Sequence, residues 1–251
     1  MIRILDKTQR KDAFAFLEKC LTEDITTYKF SKKIISRLQK EQDAYTWVAD
    51  LEENRIQGIL LYDIGFRINF LYVNKEVRNR GIGTALVKEC VKGADRGSVS
   101  RIRIHSVATL STFLEDFGFE TFHDTYTGQD EMEYLCGMYL LGKTVTVKVE
   151  RTYGSLDLRS EGELSVNCGY IEEEVTMDDT FIKDAYIVGV HEPLESFTGV
   201  VIALLYHEED DLIRAVVGRQ GEVIDHEQVI QEIGMVEQYY NARIVFADTR
   251  S

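Results

Sequence analysis

Residues 73–90, VNKEVRNRGIGTALVKEC, combine two glycines and two arginines with the start of a helical pattern. Gly81 and Gly83 have no side chain, so another molecule can approach their backbone closely. The first N–H groups of a helix have no partner within the helix and lie at the positive end of its dipole. Arg78 and Arg80 add positive charge beside them. The Arg-x-x-Gly-x-Gly pattern therefore favours a phosphate-binding loop, and an ordinary glycine turn is the alternative.

Strands and helices must hold this loop in place. MIRIL is strand-like, and residues 11–40 suit two helices. The strand-like segments AYTWVADL, IQGILLYDI and INFLYV follow, and the turn composition EENR joins the first two as a hairpin. After Val73 the apolar residues recur at helical spacing. RIRIHSV is a further strand, TLSTFLEDFGFE is a helix that ends at Gly118, and EMEYLCGMYLL is a closing strand. The predicted order is βαα-βββ-α-β-α-β, an α/β (α+β) fold with a mixed central sheet.

The order of strand, RxxGxG loop, helix, strand and a helix ending in FLEDFGFE resembles the GCN5-related N-acetyltransferase (GNAT) family over residues 1–141. The resemblance implies that acetyl-CoA is the cosubstrate and that the loop binds its pyrophosphate. It also implies that the preceding strand separates from its neighbour and pairs with the pantetheine arm through Leu71 and Val73. The residues that take the pyrophosphate role by position are Arg78, Asn79, Arg80, Gly81, Ile82, Gly83 and Thr84.

Two positions depart from the family pattern. Where relatives often carry an asparagine and a tyrosine, this chain has Val107 and Leu114. The tyrosine commonly protonates the leaving thiolate, so Leu114 removes the usual general acid, and INFLYV supplies no carboxylate base. His105 is a candidate base because histidine titrates near neutral pH, and a structural role is the alternative. Tyr72 is a second catalytic candidate, and His123 and Tyr126 are weaker ones.

Charge divides the chain unevenly. Residues 1–141 hold 20 Lys and Arg against 21 Asp and Glu, whereas residues 142–251 hold 9 against 22. This contrast predicts two domains, 1–141 and 142–251. The acidic half would repel nucleic acid and anionic membranes, so neither is an expected partner. The expected acceptor is a small-molecule amine or a protein amine, and a cationic one is favoured by the negative charge.

The second half is rich in strands. TVTVKVE, AYIVGV, GVVIALLY, RAVVG and ARIVF are strand-like, and one late helix carries Val229, Ile230, Ile233 and Val236. Residues 143–240 resemble the short bacterial form of the family I inorganic pyrophosphatases. That resemblance implies a small, all-β-dominated barrel of the oligonucleotide-binding (OB) type with one helix, and Mg²⁺ as a cofactor.

The pyrophosphatase signature is incomplete in this chain. Asp179, Asp184 and Asp211 (or Asp210) match aspartates of the signature, and three carboxylates suit one Mg²⁺ ion. Phe181 and Cys168 replace a catalytic acid and a tyrosine, and the usual lysine is lost or shifted to Arg214. We therefore expect a pyrophosphatase-like domain without efficient hydrolysis, because two-metal hydrolysis needs its full set of ligands.

Three functions remain open at this point. The first is acetyl-CoA-dependent N-acetyltransfer. The second is acyl-CoA binding without catalysis, in which the acidic barrel contacts a partner or forms a homodimer. The third is an Mg²⁺-dependent phosphohydrolase. Four cysteines without a CxxC pair, and an N-terminus that turns polar within a few residues, predict a cytoplasmic protein.

Overall fold

The structure, a computed structural model of the 251-residue chain, describes residues 1–23, 31–96, 99–105, 110–124, 128–157, 162–171, 182–207, 212–222, 225–237 and 242–247. The chain forms two compact units, residues 1–94 with 101–134, and residues 95–100 with 135–251. The domain boundary after residue 141 stays a prediction, because compactness alone does not identify where an independently folding domain ends.

The first unit is built on a seven-stranded mixed sheet in the order β1-β2-β3-β4-β5-β7-β6. Its elements are β1 (Ile2–Ile4), α1 (Arg10–Glu23), α2 (Ser31–Lys40), β2 (Thr46–Glu52), β3 (Arg55–Tyr62), β4 (Arg67–Val73), α3 (Ile82–Arg96), β5 (Arg101–His105), α4 (Ser111–Phe117), β6 (Glu120–Asp124) and β7 (Gln129–Leu135). The β4–β5 pair is parallel, whereas β1–β2, β2–β3, β3–β4 and β6–β7 are antiparallel. This arrangement confirms the predicted GNAT-like mixed sheet.

The β2–β3 hairpin contributes large apolar side chains to the hydrophobic core. Glu53 and Asn54 both have positive φ, 47° and 63°, as the favoured two-residue hairpin turn requires. Trp47 on β2 and Leu61 on β3 are fully buried and belong to the same cluster as Leu17 of α1. Burying such large apolar side chains fixes the register of these strands, because a slip of one residue would turn them to the opposite face.

Helix α3 packs an apolar stripe of Leu86, Val87, Cys90 and Ala94 into the interior, at the spacing expected for one helix face. Its first turn lies close to β3 at Gly58, where an added Cβ would stand 2.9 Å from a methyl carbon of Ile82. The strand must therefore present glycine at this point, since a real Cβ would displace the start of the helix.

Two details of the first unit differ from the sequence-based order. Strand β6 (Glu120–Asp124) was not predicted, because ETFHD has too few apolar residues to show a strand pattern. Antiparallel pairing with β7 stabilises it. The closing strand is also shorter than predicted. Strand β7 ends at Leu135, Gly137 follows with φ 74°, and Met138–Leu140 forms a single 3₁₀ turn.

The second unit contains a five-stranded barrel. Its elements are β8 (Thr144–Arg151), β9 (Leu156–Asp157), β10 (Gly162–Glu163), β11 (Asn167–Ile171), β12 (Ile182–Ile187), β13 (Ser196–His207), β14 (Ile213–Gly218), α5 (His226–Glu237) and β15 (Ala242–Phe246). The order β14-β12-β11-β8-β13 closes because β13 also pairs with β14, and β15 adds to β13. The predicted β-rich domain with one helix is confirmed, and β9, β10 and β11 are strands that the sequence pattern did not predict.

Close backbone approach at Gly169 shapes the barrel. A Cβ on this residue of β11 would stand 1.9 Å from the carbonyl oxygen of Lys148 on β8, at a point where the register between the two strands shifts. On α5, Val229 and Ile233 are buried in the barrel core. Ile230 of the same helix is 49% exposed. The helices in the described part of the chain are too short or too polar to cross a membrane.

Asp95, near the end of α3, gives a test of the pH dependence of stability. Burial raises the pKa of its carboxyl group, and a hydrogen bond from the backbone N–H of Gly137 opposes this only in part. The ionised form is therefore disfavoured in the folded protein. The burial of Asp95 therefore does not lower the free energy of unfolding below the unfolded-state pKa of the carboxyl group. The loss of stability grows as the pH rises from there through the folded-state pKa.

We expect Asp95→Asn to unfold at a higher temperature than the wild-type protein at pH 7, because the variant buries no charge at the negative end of a helix and can still accept the Gly137 hydrogen bond. The difference should disappear near pH 3. Thermal unfolding at the two pH values measures it, and a variant that is less stable at pH 7 would contradict the assignment.

Candidate functional site

Strands β4 and β5 pair over only two positions before they separate. The register joins Arg67 to Arg103 and Ile68 to Ile104, and the ladder recorded between the described residues ends there. On its other edge β4 shows a shift against β3, where Leu61 opposes Phe70 and Tyr62 opposes Ile68. Asn69 is therefore an extra residue in β4. Such a bulge bends a strand locally, which places a bend where the two strands part.

A cavity of about 590 Å³ borders the part of β4 that follows its last pair with β5. The residues that line it are Leu71, Tyr72, Val73, Arg78, Asn79, Gly81, Ile82, Gly83, Thr84, Leu110 and Phe113. Eight of the nine residues predicted from the sequence to bind the cofactor are therefore brought together here, and Arg80 is the exception. Leu110 and Phe113 were missed, because an apolar residue at a helix start gives no chemical signal in the sequence.

The loop before α3 has the backbone geometry of an anion-binding turn. Asn79 and Gly81 have positive φ, 61° and 79°, and the N–H of Ala85 donates to the carbonyl oxygen of Gly81 at 2.9 Å as the first helical hydrogen bond. The N–H groups that precede Ala85 belong to the open first turn of the helix. A Cβ built on Gly81 meets no atom within 4 Å, so the space above this residue is open.

Arg78 lies across the end of β4. Its Nε donates to the carbonyl oxygen of Val73 at 3.0 Å, and its guanidinium carbon stands 5.3 Å from the ring centroid of Tyr72. Arg78 and Arg80 are both exposed. The rim of the cavity therefore carries positive charge at the end where the helix N-terminus also favours an anion.

Helix α4 provides the opposite wall. Phe113 approaches Gly83 closely, since a Cβ on that glycine would stand 3.3 Å from the ring carbon Cζ. Leu114, at the position of the family's tyrosine, is fully buried and is not among the residues that line the cavity. Val107 and Tyr126 lie outside the described residues.

His105 ends β5 at the point where the two strands separate. Its Nδ1 lies 3.2 Å from Oε1 of Glu131 on β7, and the same oxygen accepts a hydrogen bond from Nη1 of Arg67 on β4. The sequence analysis missed Glu131, because a glutamate in a short strand with alternating polarity predicts a solvent-exposed side chain. It is instead 1% exposed. Of the weaker candidates, His123 lies on the surface beside Asp130.

The family comparison agrees with this geometry. Residues 9–130 match the family model described as an acetyltransferase (GNAT) domain. This stretch is therefore similar to GNAT acetyltransferase domains. It amounts to just under half of the chain, and no family match covers the acidic second half. A search of curated proteins finds no match for the chain.

Solved structures similar to this chain include acetyltransferases with low sequence identity. The PaiA N-acetyltransferase from Thermoplasma acidophilum, in complex with coenzyme A, is 14% identical, with a TM-score of 0.42 over 54% of this chain and 98% of that one. Tetrahymena GCN5 is 15% identical, with a TM-score of 0.45 over 54% and 95%. A ribosomal-protein-alanine N-acetyltransferase from Brucella melitensis is 16% identical, with a TM-score of 0.40 over 54% and 99%.

All four cysteines of the chain are buried. On the buried face of α3, burial raises the pKa of the Cys90 thiol, and the charge of Asp63 adds to this effect. A buried thiol with a raised pKa is a poor nucleophile, since the thiolate is the reactive form. Cys168 is also buried, as expected of a small core residue.

The predicted metal ligands of the second unit are not brought together among the residues that can be described. Asp179 and Asp211 lie outside those residues, as does Phe181. The carboxylate of Asp184 lies 3.2 Å from Nε of the buried Arg214, its partner in the β12–β14 register. The described part of the chain contains no group of three metal-binding side chains. One predicted ligand is thus engaged by an arginine.

Proposed function

We propose that the GNAT domain binds acetyl-CoA in the cavity between the separated strands and transfers its acetyl group to an amine. One observation carries this proposal: the end of β4 beyond its last pair with β5, the open first turn of α3 and the Arg78–Thr84 loop border a single cavity. An extended molecule with an anionic end suits such a site, because the strand edge offers hydrogen bonds along its length and the loop offers them to phosphate.

The pyrophosphate of the cofactor binds at the loop. Backbone N–H groups of Gly81, Ile82 and Gly83 donate to its oxygens, and the open space over Gly81 admits them. The two exposed arginines supply positive charge for phosphates that extend past the loop. Because hydrogen bonds to a charged group contribute about 1.5–3 kcal/mol each, this loop provides much of the binding free energy.

The pantetheine arm lies along β4, beyond the last residue of this strand that pairs with β5. Its amides pair with the backbone of Leu71 and Val73, while Leu110 and Phe113 cover it from the other side. Leu71 is three residues beyond the last β4–β5 pair, which corresponds to roughly 10 Å of extended strand. The acetyl end of the arm therefore reaches the place where the strands meet.

The reaction is a direct transfer. The nitrogen of a neutral amine attacks the acetyl carbonyl carbon, the new C–N bond forms, and the C–S bond breaks to release the coenzyme A thiolate. The amine loses one proton, which His105 accepts as general base and can return to the thiolate. The burial of every cysteine supports direct attack by the acceptor over an acetyl-cysteine intermediate. Tyr72 stays a candidate at the cavity wall, with its hydroxyl as a proton donor.

The acceptor is a cationic small-molecule amine or a protein amine. The formal net charge of −14 supports this choice, because it raises the local concentration of cations around the protein and lowers that of anions.

A second function has one observation in its favour. Position 114 is a buried leucine and not the tyrosine that is common in the family. The leaving thiolate therefore lacks the usual proton donor at this position. In this alternative the domain binds acyl-CoA without turning it over, and the acidic unit contacts a partner or forms a homodimer.

For the second unit we propose a pyrophosphatase-like barrel without efficient hydrolysis. The Asp184–Arg214 pair supports this, because the arginine neutralises a carboxylate that a Mg²⁺ site would need. The third function, a phosphohydrolase, would require that carboxylate to be free.

Calorimetric titration of acetyl-CoA into the full-length protein tests the proposed cofactor site. The variant Gly81→Trp fills the open space over the loop, so we expect acetyl-CoA binding to weaken by at least about 100-fold, the equivalent of roughly 2.7 kcal/mol. The matched control is Gly221→Trp in the second unit, where the glycine has the same φ of 79° and an equally open Cβ position.

Both substitutions impose similar backbone strain, about 1–3 kcal/mol, so the two variants should lose similar amounts of thermal stability. The wild-type protein and Gly221→Trp should bind acetyl-CoA equally well. Equal binding by all three proteins would place the cofactor elsewhere, and no binding by the wild-type protein would leave the glycines as an ordinary turn.

The acceptor is tested by a panel that contains spermidine, a peptide with a free N-terminal amine, a lysine peptide and glutamate. We expect coenzyme A release to be fastest with the cationic members, and faster than in the absence of an acceptor. Glutamate as the best substrate would contradict the charge argument, and no release with any member would favour the binding function.

Incubation with pyrophosphate and Mg²⁺ tests the barrel. We expect the wild-type protein to release phosphate no faster than the Asp184→Asn variant, since Asp184 is engaged by Arg214. Rapid release that the substitution abolishes would establish hydrolysis and overturn the proposal for this unit.

A further inference from the structure

A buried carboxylate lies at the point where β4 and β5 separate. Glu131 is 1% exposed, and its Oε1 contacts both Nη1 of Arg67 and Nδ1 of His105. Its other oxygen, Oε2, is buried and has no hydrogen-bond partner among the described residues. Burying a carboxylate is unfavourable unless it is paired with a cation or with hydrogen-bond donors. The burial of Glu131 therefore indicates a role that a solvent-exposed glutamate does not have.

Three strands bring these side chains together. Arg67 is the first residue of β4, His105 is the last of β5, and Glu131 belongs to β7, which lies beside β5 in the sheet. The last β4–β5 pair is Ile68 with Ile104, so His105 is the next residue after the strands stop pairing. The group therefore stands where the proposed acetyl end of the cofactor meets the acceptor.

The other charged groups on these strands have partners of their own, and Asp130 of β7 lies beside His123 on β6. Glu133 lies 3.5 Å from Nη1 of Arg101 and 4.0 Å from Nε of Arg103. The nearer of the two carboxylates to His105 is thus Glu131, with Arg67 as its cationic partner. The charges of Arg67 and Glu131 balance each other without a third group. His105 nevertheless contacts the same carboxylate oxygen as Arg67.

The side chain of His105 is 59% exposed, although its Nδ1 faces a buried carboxylate. The exposed edge of the ring is therefore the opposite edge, which carries Nε2. An imidazole whose Nδ1–H faces a carboxylate has its lone pair on Nε2, because a neutral ring carries one proton. This arrangement turns the basic nitrogen toward solvent and toward an incoming amine.

We propose that Glu131 is a positioning residue, which holds His105 in the Nδ1–H tautomer so that Nε2 can take the proton of the acceptor amine. This inference rests on the proposed acetyltransfer. In the step, the amine nitrogen bonds to the acetyl carbon, its proton moves to Nε2, the C–S bond breaks, and the thiolate takes the proton from Nε2. Glu131 stays a carboxylate throughout and stabilises the positively charged ring in between.

The tautomer of His105 is a readout that does not depend on activity. Nitrogen NMR of the full-length protein, with ¹⁵N-labelled histidine, distinguishes Nδ1–H from Nε2–H rings, and His105→Ala identifies the signal among the five histidines. We expect the Nδ1–H form to predominate in the wild-type protein and in Glu131→Gln, whose amide oxygen can still accept from Nδ1.

Removal of the carboxylate is best done together with its arginine, because Arg67 alone would be left without its partner. Arg67→Met/Glu131→Leu replaces the pair by apolar side chains of similar size, a change that proteins often tolerate. We expect this double variant to lose the Nδ1–H preference. Arg67→Met/Glu131→Gln is the control, and it should keep the preference because it buries no charge and the amide oxygen can still accept from Nδ1.

Kinetics with the best acceptor of the panel complete the test. We expect kcat to fall about 100-fold in Arg67→Met/Glu131→Leu and in His105→Ala, with little further loss when all three substitutions are combined. The KM for acetyl-CoA should change less than about two-fold, because the loop at residues 78–84 is untouched. Glu131→Gln should retain most of the activity.

The outcomes separate this inference from the proposed function. Acetyltransfer with an Nε2–H tautomer in the wild-type protein would overturn the role of Glu131 and leave the function standing. Equal losses in Glu131→Gln and in Arg67→Met/Glu131→Leu, with His105→Ala fully active, would make Glu131 itself the base through Oε2. A wild-type protein that transfers no acetyl group would overturn both, whatever the tautomer.

Discussion

The first unit of this protein depends on the parallel pair β4–β5, whose ladder joins only two positions among the described residues. The extra residue at Asn69 bends β4 next to the last of these pairs, and pairing with β3 holds the strand in place. A strand beyond its last pair with a neighbour can form backbone hydrogen bonds with an extended ligand. This part of β4, the first turn of α3 and Phe113, which lies close to Gly83, line one cavity.

The binding loop and the last β4–β5 pair have different chemistry. At the loop, the helix N-terminus and the exposed arginines favour an anion. At the last β4–β5 pair, the sheet brings a buried carboxylate, an arginine and a histidine together. None of these three side chains is among the residues that line the cavity, whose apolar members include Leu110 and Phe113. The fold thus keeps the anion-binding groups apart from the histidine proposed as general base.

Much of this site could be predicted from the sequence, because the binding end is local. Arg78, Gly81 and Gly83 lie within six residues of one another, and their roles depend on backbone geometry that glycine makes visible in the sequence. The reactive end could not be predicted in the same way. Glu131 lies 64 residues from Arg67 along the chain, and only the strand order brings them together. Short strands such as β6 and β11 were missed for a similar reason, since pairing and not composition stabilises them.

The most direct test of this account is amide hydrogen exchange of the full-length protein with and without acetyl-CoA. If the cofactor pairs with β4 beyond the last β4–β5 pair and with the open turn of α3, amides in residues 69–73 and 81–84 will exchange more slowly when it is bound. Amides of the barrel strand β8 (Thr144–Arg151), which lies in the second unit, will be unaffected. Bound acetyl-CoA that leaves the exchange of residues 69–73 unchanged would contradict the claim that the separated strand is the binding surface.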